Sequence, residues 1–297
     1  MKRGTWAEYW RKNRVGLAFI SPWLAGLALF VVWPFLSSLY LSFTKYDIVH
    51  TPRWVGPTNY QVLLTEDPLF WKSLQVTLSY AAAAVPLGAV VGVGLALLLN
   101  QRVRGMAFFR AAFYVPSVVP TVATSVVFLW ILNPEIGLLN GLLKQIGIKG
   151  PAYLTDPNTA LPSLVAMSLW SIGGSMVVYL AGLKDIPVHL YEAAMIDGTS
   201  AFQRMRTITL PLLTPVILFN VVMSVIGSFQ YFTEAYVMTQ GGPEQSTTFF
   251  ALYLFQRAWQ FLDLGYASAM AWILFVIVVA VTLAILKTQS KWVHYRE

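Results

Sequence analysis

Long runs of apolar residues alternate along the chain with short polar connections that hold nearly all the charge. About 20 mostly apolar residues cross a bilayer as a helix. Runs of that length cover residues 15–43, 74–99, 111–132, 161–183, 212–232 and 264–286. The pattern predicts an all-α integral membrane protein with about six transmembrane helices. Pro22, Pro34, Pro86, Pro116, Pro120, Pro162 and Pro215 fall inside these runs, which spanning helices tolerate where neighbours satisfy the freed carbonyls.

The connections predict an orientation. Lys2, Arg3, Arg11, Lys12 and Arg14 precede the first run, Arg102, Arg104 and Arg110 follow the second, Lys184, Arg204 and Arg206 follow the fourth, and Lys287, Lys291 and Arg296 follow the sixth. Together they make fourteen of the 20 basic residues. Lys45, Arg53, Lys72, Lys144, Lys149 and Arg257 fall on the opposite side. Short basic connections stay cytoplasmic, so both termini should face the cytoplasm, in agreement with an even number of spans. The expected organisation is a cytoplasmic segment 1–14, a single transmembrane domain 15–286 containing a cytoplasmic loop 184–211, and a cytoplasmic tail 287–297. The first run exceeds a signal-peptide core and meets Trp33-Pro34-Phe35 rather than a small-residue cleavage site.

Composition narrows the function. With 57% hydrophobic and 11% charged residues, the chain lacks the charge to coat a water-soluble globule. The net charge of +7 is accounted for by topology and contact with lipid, and calls for no nucleic acid. There is no cysteine. No span interior contains Asp, Glu, Lys, Arg or His, so the usual means of coupling to an ion gradient is missing. No phosphate-binding Gly-Lys-Ser/Thr loop occurs, and His50, His189 and His294 are scattered over different connections. No catalytic residue, metal site or cofactor is therefore predicted. A body suited to passing a solute, with no source of energy of its own, implies a partner that supplies it.

The loop 184–211 is the most informative stretch. Pro187 suits a helix start, Gly198 a left-handed stop, and Ser200 with Gln203 the capping box of a second short helix, with Pro211 marking the turn into the fifth span. The small Ala193 and Ala194, flanked by the acids Glu192 and Asp197, let another surface approach closely. Such a face suits docking to a protein; an interfacial helix lying on lipid is the alternative.

Glu192-Ala193-Ala194, then Asp197-Gly198, then Ile208, Leu210 and Pro211, resemble the EAA loop of binding-protein-dependent ABC importer permeases of type I. The resemblance implies that these eight residues form a coupling helix that inserts into a cleft of the ATPase subunit. Thr239-Gln240-Gly241-Gly242-Pro243, with Thr247 and Thr248 behind it, resembles a segment of the carbohydrate-uptake permeases, maltose- or glycerol-phosphate-like. Pro22, Trp33-Pro34 and the stretch 54–60 resemble the first of the two permeases such systems carry. The implied protein is a permease subunit of the bacterial or archaeal cytoplasmic (inner) membrane. Its implied partners are a second homologous permease, an ABC ATPase dimer that hydrolyses the ATP, and an extracytoplasmic substrate-binding protein. Its implied solute is a sugar, a polyol or a glycerol phosphate.

A path for that solute is sought on polar or small faces of the spans. In the fifth, Asn220, Ser224, Gly227 or Ser228, and Tyr231 recur at three to four residues; in the fourth, Ser171, Gly174 and Ser175 lie near Trp170. Packing between helices would use the same serines and glycines, which leaves Asn220 and Tyr231 the better claim on a path. A secondary carrier for a neutral solute is the main rival, and it should show intramembrane ionisable groups and inverted repeats. An importer permease for another substrate class is a further alternative.

Overall fold

A computed structural model describes residues 6–101 and 103–294, the first eight of them by backbone alone. Arg102 and the terminal basic residues Lys2, Arg3 and Arg296 lie outside the described residues. The chain divides into two compact units, one built from residues 1–63 and 257–272, the other from 64–256 and 273–297.

In the smaller unit, α1 (Trp6–Leu27) continues through a π-helical turn at Ala28–Val32 into α2 (Trp33–Ser42). Arg14–Ser42 is thereby one helix of 29 residues, long and apolar enough to span. The wide turn sits just before Pro34, which has no N–H and whose ring would crowd the carbonyl four residues back; an i→i+5 turn makes that room. Two short strands, β1 (Thr44–Lys45) and β2 (Arg53–Trp54), pair antiparallel. Asn59, in α3 (Thr58–Thr65), donates to the carbonyls of Ser42 and Thr44 at 2.8 and 2.9 Å. Gly265 lies so close to the Thr44 carbonyl that a Cβ there would come within 2.0 Å of the oxygen, and Trp272 donates to Ser38 Oγ at 3.2 Å.

The larger unit is organised on α4 (Pro68–Leu99), 32 residues whose first turn is capped by the Asp67 carboxylate accepting from the amides of Leu69 and Phe70. The third and fourth apolar runs each form two helices joined at a bend. The third forms α5 (Met106–Tyr114), a 3-10 turn, and α6 (Thr121–Ile131), with a bend of 98° between the two halves. Pro116 and Pro120 cause it: the residue before a proline avoids the helical region, and Val119 is extended at φ −69°, ψ 132°. After the short helix α7 (Leu138–Gln145), the fourth run forms α8 (Pro157–Ser168) and α9 (Gly173–Lys184), bent by 51°. The two bends pack against each other: a Cβ on Gly173 would meet the Phe113 carbonyl oxygen at 2.4 Å.

The loop holds α10 (Val188–Ile196) and the four-residue α11 (Ala201–Arg204). The expected turn at Pro211 is absent. Instead α11 runs through a π-helical turn at Met205–Thr209 into α12 (Leu210–Phe229), one helix of 29 residues over Ala201–Phe229. The cause matches that at Pro34, a wide turn immediately ahead of the proline. A six-residue helix, α13 (Phe250–Phe255), follows, and α14 (Leu264–Thr288) completes the chain with parts in both units. The described helices thus include four that could each span alone, and six spans result if each bent pair counts as one.

Two clusters of the larger unit's core frame what lies between them. Val93, Ala96 and Leu99 of α4 pack with Met176, Tyr179, Leu180 and Leu183 of α9 and Leu213 of α12. Val76 and Tyr80 of α4 pack with Leu164, Val165 and Met167 of α8, Tyr231, and Phe249.

Candidate functional site: a hydroxyl-lined cavity and an exposed loop

A cavity of about 260 Å³ opens where α4, α8, α9 and α12 meet. Its walls carry Ser168, Ser171, Ser175, Ser224, Ser228, Tyr80, Tyr179, Tyr231 and Glu234, with Gly88 and Gly227 leaving space. A smaller cavity of about 80 Å³ shares Ser168, Ser171, Tyr231 and Glu234 and adds Trp170 and Thr124. Tyr231 is held in place by ring contacts at 4.4 Å to Tyr80 and 4.6 Å to Phe249. The serine protons point away from the space: Ser168 donates to the Val165 carbonyl at 2.7 Å, Ser175 to Ile172 at 3.0 Å, and Ser228 to Ser224 at 2.8 Å. A hydroxyl has one proton and two lone pairs, so these three present acceptors.

Of the path residues sought in the sequence, the structure gathers Ser171, Ser224, Ser228 and Tyr231 on the larger cavity and Trp170 on the smaller. Asn220 and Gly174 line neither. Asn220 is buried and its amide donates to the Val216 carbonyl at 3.0 Å, within its own helix. Glu234 escapes a search restricted to span interiors because it lies five residues beyond the end of α12 at Phe229. Burial raises its pKa above the ordinary carboxylate value. The signal that could have found it is its place three residues after Tyr231.

The segment behind Glu234 is a built turn. Gly241 has φ +91°, and a Cβ there would meet Thr248 Oγ1 at 2.6 Å. Thr248 Oγ1 donates to the Gly241 carbonyl at 3.0 Å, and Thr247 Oγ1 sits 2.6 Å from that of Gly242. The Phe250 amide donates to Thr77 Oγ1 on α4 at 2.9 Å, so the turn is tied to the helix that carries Tyr80.

In the loop, α10 begins after Pro187, which occupies the cap position, and stops at Gly198 with φ +74°. Ser200 and Gln203 form both hydrogen bonds of the capping box. Glu192, Ala193, Asp197 and Gly198 are exposed and Ala194 is half-buried. Apolar side chains stand exposed beside them, Ile196 at 87% and Phe202 at 66% of their full surface. Ile208 and Leu210 instead pack inward on the core cluster of α4, α9 and α12, and Pro211 is half-buried. Tyr191 Oη meets Thr209 Oγ1 at 2.9 Å, and Arg204 hydrogen-bonds the Thr199 carbonyl, so α10 is strapped to the root of α12.

Helices long and apolar enough to span a membrane, gathered around a hydroxyl-lined cavity, fit a membrane permease component. The chain belongs to the family described as binding-protein-dependent transport system inner membrane component, which it matches over residues 84–294. It is 44% identical to a probable ABC transporter permease protein, YesP, of Bacillus subtilis, over 96% of this chain and 93% of that one. It is 34% identical to the trehalose/maltose transport system permease protein MalF of Thermococcus litoralis, over 94% of each. A sulfoquinovosyl glycerol transport system permease of Agrobacterium fabrum is also 34% identical, over 93% of this chain and 91% of that one. Among solved structures, a chain of a bacterial alginate ABC transporter in complex with an alginate pentasaccharide-bound periplasmic protein superposes with a TM-score of 0.85. It is 20% identical and covered over 96% of both chains, a likeness of fold.

Proposed function

We propose that this chain is a permease subunit of an ATP-driven importer and forms, with a second homologous permease, the path of a sugar-like solute. The observation that carries the reading is the exposed helix–glycine–helix loop. Its apolar tip at Ile196 and Phe202, flanked by Glu192 and Asp197, is a surface that a soluble partner would cover. An ATPase dimer docked there would supply the energy, and this chain would bind no nucleotide. Glu192, Ala193, Ala194, Asp197 and Gly198 form the docking surface, while Ile208, Leu210 and Pro211 connect it to the membrane body. Both termini face the cytoplasm, and an extracytoplasmic binding protein delivers the solute from the other side. Alternation between outward- and inward-facing states is biased by ATP at the loop. Relatives that handle maltose, trehalose or sulfoquinovosyl glycerol support a carbohydrate solute, as does a cavity walled by hydroxyls and tyrosines.

The test is reconstitution of the assembled importer in liposomes. Proline cannot adopt the φ of +74° at Gly198, so Gly198→Pro should abolish ATP-dependent uptake while the chain still inserts and assembles with the second permease. Glu192→Arg should do the same through charge. Unchanged uptake and unchanged ATPase binding in both variants would refute the docking role.

A further inference from the structure

The cavity's chemistry is one-sided. Glu234 lines both the larger and the smaller cavity, and among the described residues no Lys, Arg or His lines either. The other titratable groups on the walls are the phenols of Tyr80, Tyr179 and Tyr231, neutral at ordinary pH. Three of the hydroxyls do not compensate. Ser168, Ser175 and Ser228 have committed their protons to helix carbonyls, so these three offer lone pairs where an anion needs donors. A half-buried carboxylate with no cation beside it on the cavity wall projects its negative potential into the space. We propose that Glu234 makes this cavity a charge filter, admitting uncharged polyhydroxylated or cationic solutes and rejecting anionic ones such as uronates, sulfonates and phosphate esters. A neutral saccharide supplies the hydroxyl donors that the carboxylate and the serine oxygens accept. An anionic group would meet like charge and no cation, and the donors left on the walls, Ser224, Thr124, the Trp170 indole and the phenols, are all neutral. The inference rests on the reading of the cavity as solute path, and it sets the glycerol phosphates apart from the other carbohydrate-like solutes.

The absence of cysteine from the chain provides a test that needs no knowledge of the solute. A thiol is introduced as Ser171→Cys, an exposed position that lines both cavities with Glu234. A reference thiol is introduced as Thr51→Cys in an exposed connection. The full chain, purified with its partner subunits, is reacted with two methanethiosulfonates of similar size, one carrying trimethylammonium and one sulfonate. Relative to the reference thiol, the cationic reagent should react about tenfold faster than the anionic one at Ser171→Cys. Adding Glu234→Gln should bring the ratio near one, and Glu234→Asp should keep it. A ratio near one in the presence of Glu234, or a preference that survives Glu234→Gln, overturns the filter and leaves the path intact. If neither reagent reaches Ser171→Cys while both modify Thr51→Cys, the cavity is closed to water, and the path reading fails together with the filter.

Discussion

Gly173 and Gly174 are neighbours at the start of α9, yet the structure assigns them opposite roles. An added Cβ at Gly173 would stand 2.4 Å from the Phe113 carbonyl oxygen and 2.8 Å from Tyr114 Cα; at Gly174 it would meet nothing within 4 Å. The obstructing atoms at Gly173 are backbone, so one bent pair must move against the other by nearly an ångström before normal contact is restored. Such overpacking costs about 1–3 kcal/mol, from which the helix preference of alanine over glycine returns at most about 1 kcal/mol. Gly173→Ala should therefore lose ~1–2 kcal/mol, and Gly174→Ala should be neutral or gain up to ~1 kcal/mol. The assay is thermal unfolding of the detergent-purified chain followed by tryptophan fluorescence, with both variants in one buffer. A lowered midpoint for Gly173→Ala beside an unchanged or raised one for Gly174→Ala is the expected result. Equal midpoints would refute the claim that the two bends are locked against each other at Gly173.

Three further outcomes are expected. Thr77→Val removes the acceptor of the buried Phe250 amide, which should cost about 1–3 kcal/mol of stability and loosen the turn behind Glu234, read as faster amide exchange at residues 247–250. Tyr191→Phe breaks the 2.9 Å contact with Thr209; a loss near ~1 kcal/mol and greater protease access at the loop should follow, and unchanged cleavage would argue against the strap. Burial holds the folded-state pKa of Glu234 above its unfolded value, so ionisation opposes folding. Stability from this group is greatest below the unfolded pKa and falls as pH rises through the raised folded value. The unfolding midpoint should drop across that window in the parent and drop less in Glu234→Gln.

The sequence made the spans readable where length and apolarity suffice, and hid the geometry that depends on what packs against what. The first, second, fifth and sixth runs became unbroken helices because nothing in them outweighs the need to satisfy backbone groups in lipid. In the third and fourth, the prolines that break the helices were visible as residues, but the angles of 98° and 51° and the close approach of the two bends at Gly173 were not. The Gly198 stop and the Ser200–Gln203 box were legible because both are local hydrogen-bonding problems with few solutions. The continuity of α11 with α12 was not, since a proline signals a break unless a π-helical turn precedes it. Of the cavity, the serine spacing in α12 selected Ser224 and Ser228, which line it, but the same periodicity also selected Asn220, whose amide is satisfied within its own helix. Periodicity identifies a face, and only the packing of neighbouring helices decides which part of that face borders space.

That continuity has a mechanical consequence. Ala201–Phe229 is a single helix of 29 residues, about 43 Å long at 1.5 Å per residue. One end lies beside the cap of the exposed loop, and the other carries Ser224 and Ser228 on the cavity wall. Such an element acts as a lever. A tilt of ~10° about its midpoint would carry each end through about 4 Å in opposite senses, a distance comparable to the width of a sugar ring. A small rotation imposed at the loop would thus reach the cavity as a displacement large enough to reshape it, with no signal relayed from side chain to side chain.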